Sequence, residues 1–346
     1  MKTSFSVIIV TWNAVSLLRQ FLPSVDGTDY DQFEIIIADN ASDDETRAWV
    51  QKHYPKCKIV TFDRNFGYAG GNNRAVKYAS GEVLVFLNND ARPDPGWLTA
   101  INNRMKKSGA DIVQPKIRSS ENPDMFEYAG AAGGFIDRLG YPFCRGRLFD
   151  NIERDLGQYD EPVKIFWASG TAFVIKKDLF IKAGGFDEDF EFHMEEIDLC
   201  WRCLKMDKTI VYEPESVVYH LGGGSLDSES PRKVYYNYRN SLCMLTKNLD
   251  RGLMPKIFLR LVLDGVSGIR LLFMGKISHT AAIIKSHFAF YKMAVKMFGK
   301  RRRIKQYTHG KTPENLVFPG LIVFEYYFKG RKTFQQLTQK TNFNVE

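Results

Sequence analysis

The sequence predicts an α/β protein built on a mostly parallel central sheet, followed by a helical, basic, amphipathic extension. Three observations predict it. Strand-length apolar runs alternate with helical patterns over residues 1–120, the order that builds a parallel, doubly wound sheet. Each of the first four runs ends in polar side chains, at the edge where such sheets bind ligands. The charge is split: residues 251–346 carry 18 Lys/Arg against 4 Asp/Glu, and residues 1–250 carry 30 against 36.

The expected strands of the first half are Phe5–Val10, Phe33–Ala38, Lys58–Phe62, Val83–Leu87 and Asp111–Gln114. Helical patterns lie between them at Ala14–Leu22, Asp44–Tyr54, Gly70–Ala79 and Pro95–Lys107. Ser42-Asp43-Asp44-Glu45 has the spacing of a capping box. Residues 120–165 read as a long, glycine-rich loop, the kind of segment that faces a substrate. Regular structure returns with a strand near Thr171–Ile175, helices from Asp178 and Glu196, and strands at Thr209–Tyr212 and Val217–Tyr219. Tyr235–Leu249 reads as a helix. Beyond it Phe258, Leu261, Val262, Val266, Ile269 and Phe273 recur at helical spacing. Arg260, Asp264 and Arg270 interrupt that stretch and argue against a transmembrane span. Basic residues interleaved with amphipathic helices point to an anionic membrane surface. No helix-turn-helix or RNA-binding signature supports nucleic acid as the partner. The expected division is 1–250 for the α/β domain, with halves at 1–120 and 121–250, and 251–346 for the extension.

Five scattered cysteines fit reduced thiols in the cytosol better than a disulfide framework. Cys200 and Cys203 fall in a helical pattern and read as buried thiols, not zinc ligands. Met1–Ser4 leads straight into a strand-length run with no secretory pattern, which points to the cytoplasm.

The strand ends carry the chemistry. Thr11-Trp12-Asn13 follows the first strand where a dinucleotide fold needs a glycine-rich turn. Gly67-Tyr68-Ala69-Gly70-Gly71 lacks the G-x-G-x-x-G spacing, so nicotinamide and flavin are excluded. Asp39 can accept from a ribose hydroxyl or a base N–H. Asn65, Gly67 and Asn72 follow the third strand, with amides to offer paired donors and acceptors. Asn88-Asn89-Asp90 places one carboxylate beside two amides, which suits a divalent metal holding a diphosphate. Taken alone the tetrapeptide reads as well as a turn; four polar strand ends in register do not. Glu195-Glu196-x-Asp198 packs three acids into four residues, which calls for a cation or a proton-transfer role. An acidic helix start is the plainer alternative. No Ser/Cys nucleophile motif or P-loop is present.

These motifs resemble the nucleotide-sugar half of family 2 glycosyltransferases with the GT-A fold. The resemblance continues through Trp167-Ala168-Ser169-Gly170, Gly184–Phe190, Met194–Arg202 and His220–Ser225, in the family's order. The closest flavour is the bacterial rhamnosyltransferase-like subgroup, and residues after about 250 match only loosely. The resemblance implies an inverting transfer of a sugar from a nucleotide-diphosphate donor, deoxythymidine-diphosphate rhamnose or a UDP-hexose. The acceptor would be a hydroxyl of a glycan or lipid-linked saccharide in cell-surface polysaccharide synthesis. It implies donor binding by Thr11, Asn13, Asp39, Asn65, Gly67, Asn72, Asn88, Asn89 and Asp90. Trp167, Ser169, Gly170 and Glu195 would bind the acceptor. Asp90 and His220 would ligate Mn²⁺ or Mg²⁺. In the catalytic set of Glu196, Glu195 and Asp198, Glu196 would be the base, Glu195 would support the acceptor site and Asp198 would cap or orient the following helix. Asn88 departs from the family's aspartate at the first metal-motif position, which leaves one carboxylate there. Two other readings remain at this stage: a nucleotidyl or sugar-phosphate transferase, and a catalytically silent binding protein on the same fold. The enzyme would sit peripherally on the inner face of the membrane.

Overall fold

Phe5–Thr11 (β1), Phe33–Asp39 (β2), Lys58–Thr61 (β3) and Val83–Leu87 (β4) form as expected from their apolar runs. The computed structural model describes residues 2–128, 130–222, 230–341 and 343. The four strands pair in the order β3-β2-β1-β4, all parallel. β4 is buried at all five positions, as a central strand covered on both faces must be. The helices α1 (Val15–Asp26), α2 (Thr46–His53), α3 (Gly67–Ala75) and α4 (Trp97–Ser108) fill the connections. The expected capping box does not form. α2 starts at Thr46, whose N–H goes to Asp44 Oδ1 (3.0 Å), while Ser42 Oγ accepts from Asn13 N–H at 2.9 Å.

Past β4 the sheet becomes mixed. β5 (Ala91–Pro93) and β6 (Ile112–Ser119) follow, then the stretch expected to be a loop. It contains short strands instead: β7 (Gly134–Asp137), β8 (Pro142–Cys144), β9 (Arg147–Leu148), β10 (Asn151–Ile152) and β11 (Val163–Lys164). β12 (Ala172–Lys176) then inserts antiparallel between β4 and β6. After α5 (Lys177–Lys182) and α6 (Glu195–Leu204), the two strands expected at 209–219 form one, β13 (Ile210–His220), parallel to β6 with a bulge between Glu213 and Val217.

The strand directions explain the site. β12 runs antiparallel to β4, so its N-terminal end lies where β4 ends: Ala172 pairs with Leu87, and Asn88 N–H donates to Thr171 O at 2.9 Å. β13 runs parallel to β6, so His220 at its end reaches the same edge.

α7 (Pro231–Asn248) starts at Ser230, whose hydroxyl accepts from Arg232 N–H, with Pro231 in the first turn. α8 (Leu253–Phe273) and α9 (Ile277–Tyr307) follow, and α9 packs along α7. β14 (Val317–Phe318) returns to pair with β7, completing a five-stranded second sheet. α10 (Ile322–Tyr327) and α11 (Phe334–Gln339) close the chain. Asp137 ties this return to the body, because its buried carboxyl accepts from Leu139, Tyr141 and Ile322 N–H groups. Burial outweighs those bonds and raises its pKa to about 6. Residues past 250 therefore complete a sheet and a core with the preceding chain. No helix among the described residues is long and apolar enough to cross a membrane.

Candidate active site

The donor side is built from the ends of β1, β2 and β4. Parallel register sets Thr11 beside Asp39, and Asn89 Nδ2 reaches Thr11 Oγ1 at 3.4 Å. Asp39 is fully buried; its carboxylate accepts from Ser42 N–H (3.3 Å) and lies 3.5 Å from Arg47 Nε. Asn13, held at a φ of 47°, accepts from Asp43 N–H at 2.7 Å, so the first and second strand-end loops are tied together. Asn40, which the sequence reading did not single out among the donor residues, bonds Gly67 O (3.1 Å) and Phe66 N–H (3.3 Å). It holds the third loop against the second. Asn65 Oδ1 accepts from Gly67 N–H, and Gly67 has the positive φ of 69° that favours glycine. Asn72 is buried. Its amide nitrogen goes to Tyr68 O, and its Oδ1 has no partner among the described residues.

Asn88, Asp90 and His220 meet at the centre of this edge. His220 Nε2 lies 3.0 Å from Asp90 Oδ1 and 3.2 Å from Asn88 Nδ2. Its Nδ1 lies 3.5 Å from Glu127 Oε1. Burial alone would lower the imidazole pKa, but the two carboxylates overcome it and raise it to about 10. Glu127 was not legible as a site residue, because it stands in a loop with no motif around it. Among the described residues, no group of three or more His, Cys, Asp or Glu is arranged to hold a metal ion. Gly223-Gly224-Ser225, the end of the His220 motif, lies outside the described residues.

The acidic cluster divides into three different roles. Asp198 is fully buried and does not face the cleft. It accepts from Arg202 Nε (2.9 Å), Lys247 Nζ (2.8 Å) and Asn248 Nδ2 (2.7 Å). A carboxylate with these three donors anchors α6 to α7. Glu195 is buried in the first turn of α6 with Oε2 unpartnered. Burial, then the Glu196 charge, pushes its pKa well above the usual range. Glu196 keeps partial exposure. Burial raises its pKa to about 7, even though backbone N–H groups of the helix start favour its charged form. Neutral Glu195 relieves Glu196 of a like-charged neighbour, which is how two adjacent acids can divide their states.

The loop before α6 is under backbone strain. Glu191, His193 and Met194 take φ values of 59°, 64° and 75°. Asn240 of α7 holds it: its Nδ2 donates to Phe190 O (2.7 Å), Phe192 O (2.6 Å) and His193 O (3.0 Å). Arg239 adds bonds to Asp189 O and Phe190 O and a pair with Glu191. Asn240→Ala should lower turnover by about 10- to 100-fold through misplaced Glu196, with donor KM nearly unchanged. Steady-state kinetics checks this, and an effect on KM alone would contradict it. Asp187 and Asp189, in the Gly184–Phe190 motif, pair with Lys247, Lys300 and Lys296. Burial opposes the Asp187 charge, but Lys247 and Lys300 hold its carboxyl well below the usual range.

Tyr68, also missed by the sequence reading, connects the two sides. Its hydroxyl donates to Gly170 O at 2.8 Å. Burial and the charges of Glu195 and Glu196 hold its pKa well above normal. Trp167 is buried over Gly134 and donates to Phe135 O at 2.9 Å; a Cβ at Gly134 would lie 2.1 Å from the indole. Ser169 is buried, with its N–H on Gln114 Oε1 and its Oγ accepting from Thr171 N–H. Of the three residues expected to meet the acceptor, Trp167 and Ser169 are buried and Gly170 is partly exposed. Burial pushes the Cys144 thiol up to about 12. All five cysteines are buried and unbridged.

The family model for glycosyl transferase family 2 matches residues 6–183. The chain is 24% identical over 294 residues to the low-salt glycan biosynthesis hexosyltransferase Agl10 of Haloferax volcanii, covering 82% of this chain and 90% of that one. It is 27% identical over 235 residues to the N-acetylglucosaminyl-diphospho-decaprenol L-rhamnosyltransferase of Mycobacterium tuberculosis, 62% of this chain and 75% of the relative. The O-antigen biosynthesis protein RfbC of Myxococcus xanthus is 28% identical over 62% of this chain, which spans only 17% of that protein. Among solved structures, the S. aureus TarS fragment 1–349 with UDP-GlcNAc superposes with a TM-score of 0.54 at 17% identity, over 88% of this chain and 89% of that one. GalNAc-T7 with UDP, GalNAc and Mn²⁺ gives a TM-score of 0.56 at 18% identity, over 71% of this chain and 48% of that one. Four polar strand ends on one edge, an α6 that presents Glu196, and the family match lead to one conclusion: the chain is a glycosyltransferase of the GT-A fold and belongs to glycosyl transferase family 2.

Proposed function

We propose that the protein transfers a sugar, with inversion, from a nucleotide-diphosphate sugar to a hydroxyl of a glycan or lipid-linked saccharide. The observation that carries this reading is Glu196 at the start of α6, a partly exposed residue whose Oε2 is buried with no partner among the described residues and whose pKa burial raises to about 7. A general base works best when its pKa lies near the working pH. The acceptor oxygen attacks the anomeric carbon, the bond from that carbon to the diphosphate oxygen breaks, and Glu196 takes the hydroxyl proton. The Asp39 and Asn65–Gly67 loops bind the nucleoside, and Asn88, Asn89 and Asp90 face the diphosphate.

His220, as the structure shows it, is ion-paired with Asp90 and carries its proton, so this edge would take a divalent cation only with that proton lost. Asp90 supplies a carboxylate, Asn88 an amide and His220 an imidazole within 3.2 Å, a mixture that suits Mn²⁺ somewhat better than Mg²⁺. When bound, the ion would act as a Lewis acid toward the leaving diphosphate. Solved relatives carry Mn²⁺ with UDP or with GDP-mannose, which supports the same use here. The relatives named for O-antigen biosynthesis and for rhamnose transfer to N-acetylglucosaminyl-diphospho-decaprenol support a role in cell-surface polysaccharide synthesis. They favour deoxythymidine-diphosphate rhamnose as the donor to try first.

A panel of nucleotide sugars, with and without Mn²⁺, tests the reading. At least one donor should raise the melting temperature and, with acceptor, release nucleoside diphosphate. Release of a nucleoside monophosphate would favour sugar-phosphate transfer. Binding without any turnover would favour a silent protein.

A further inference from the structure

α8 is amphipathic in the reverse sense. Its fully buried side chains are polar, Arg260 and Asp264, and Ile257 and Leu261 pack beside them partly buried. Arg260 donates to Leu139 O (2.9 Å) and Ser241 Oγ (2.8 Å), its guanidinium lies 3.7 Å from the Tyr141 ring centroid, and Asp264 accepts from Tyr141 OH at 3.2 Å. Its outward residues are apolar. Phe258, Val262, Val266, Ile269 and Phe273 recur every three or four positions and are exposed, Phe273 to 88%. In a water-soluble helix the apolar stripe faces the core; here the fully buried side chains are polar.

α9 also leaves apolar residues exposed, although its buried face is itself largely apolar, with Ile283, Phe290, Met297 and Ile304. It packs on α8 at Gly268, where Thr280 Oγ1 donates to Gly268 O at 3.0 Å and a Cβ would meet Ile283 and Thr280 at 3.8 Å. Ile284, Phe288 and Val295 stay exposed. The two helices turn through Gly275, at a φ of 74°. At the end of α8, Arg270 lies over the Tyr327 ring, which brings the exposed Phe324 and Phe328 of α10 to the same region. An apolar surface of this extent marks an interface.

The charges choose the occupant. From Arg251 to Thr312 the only acid is Asp264, and it is buried. Arg270, Lys285 and Lys292 are exposed on the same two helices. A second copy would set cations against cations. An anionic lipid surface takes both the apolar side chains and the cations. We propose that the α8–α9 hairpin is a docking surface for an anionic bilayer. Its apolar stripe enters the boundary between headgroups and acyl chains, and Arg270, Lys285 and Lys292 meet the headgroup phosphates. This surface lies outside the catalytic cleft, and the proposal does not rest on the transfer reaction.

Flotation of the full chain with vesicles tests it at low salt. Phosphatidylglycerol–phosphatidylcholine vesicles should carry the protein, and pure phosphatidylcholine should carry at least tenfold less. Phe258→Ser/Val266→Ser/Phe273→Ser should weaken binding at least tenfold, and Lys285→Glu/Lys292→Glu should erase the preference for anionic lipid. All five positions are solvent-exposed, and unchanged circular dichroism and melting show that the variants fold. Nucleoside diphosphate release with a water-soluble acceptor should be the same in the triple-serine variant, which separates failure of docking from failure of catalysis. Wild-type protein left unbound by anionic vesicles would overturn the proposal. So would a concentration-dependent dimer, seen by sedimentation and dissolved by the serine variant, with no vesicle binding.

Discussion

Glu196→Gln should reduce turnover roughly a thousandfold while leaving nucleotide-sugar affinity within about twofold, the range expected when a general base is removed. Gln keeps the shape of Glu and its place in the first turn of α6, so folding and the donor edge are undisturbed. What is lost is the capacity to take a proton. The neighbouring acids cannot replace it. Glu195 is buried and held neutral by a pKa well above the usual range. Asp198 is committed to Arg202, Lys247 and Asn248. Rapid-quench turnover and donor binding measured by calorimetry distinguish the outcomes. Turnover near the wild-type rate would remove Glu196 from the base role. Loss of donor affinity in step with turnover would make it a binding residue.

Asp198→Ala should cost stability first. Its carboxylate is fully buried between two cations and an amide. Removing one partner from such a cluster leaves buried charge without compensation, a loss of about 3–5 kcal/mol. Arg202 suffers most, because Asp198 is the carboxylate it pairs with and its bonds to the Ala183 and Gly185 carbonyls bring no charge. Lys247 retains Asp187. At roughly 2 °C per kcal/mol for a chain of this size, the melting temperature should fall by about 5–10 °C. Calorimetry on the variant checks it. A melting temperature within 1–2 °C of wild type (an order-of-magnitude threshold from the same scaling), together with lost turnover, would return Asp198 to the catalytic group.

The parts of the fold that were legible owe this to period and length. Val83–Leu87 is apolar at every position and ends in three polar residues, so both the strand and its functional edge could be read directly. Two-residue strands such as Arg147–Leu148 carry no period, and the second sheet was therefore hidden in what read as loop. Thr209–Tyr212 and Val217–Tyr219 read as separate strands because the bulge at Glu213–Val217 breaks the alternation between them.

The site divides in the same way. Asp90, Glu196 and His220 sit in compact motifs, and strand direction brings Asp90 and His220 to one edge. Glu127 reaches His220 only because its loop folds back over β6, where its N–H meets Ile117 O at 3.1 Å. Asn240 left one signal: an amide in a helix pattern whose neighbours Ser241, Leu242 and Cys243 are all buried. A buried Asn must find partners, and here they are the carbonyls of the strained loop before Glu196. Asp198 shows the opposite limit. Its position beside Glu195 and Glu196 suggested shared chemistry, but one helical step turns it inward toward Lys247.

The central claim is that a carboxylate raised to about 7 takes the acceptor proton. The pH dependence of kcat/KM tests it most directly. Because the base must be ionised, the rate should be constant above about pH 7 and fall about tenfold per pH unit below it. A rate that stays flat from about pH 5 to 8, or a limb that persists unchanged in the residual activity of Glu196→Gln, would contradict the account.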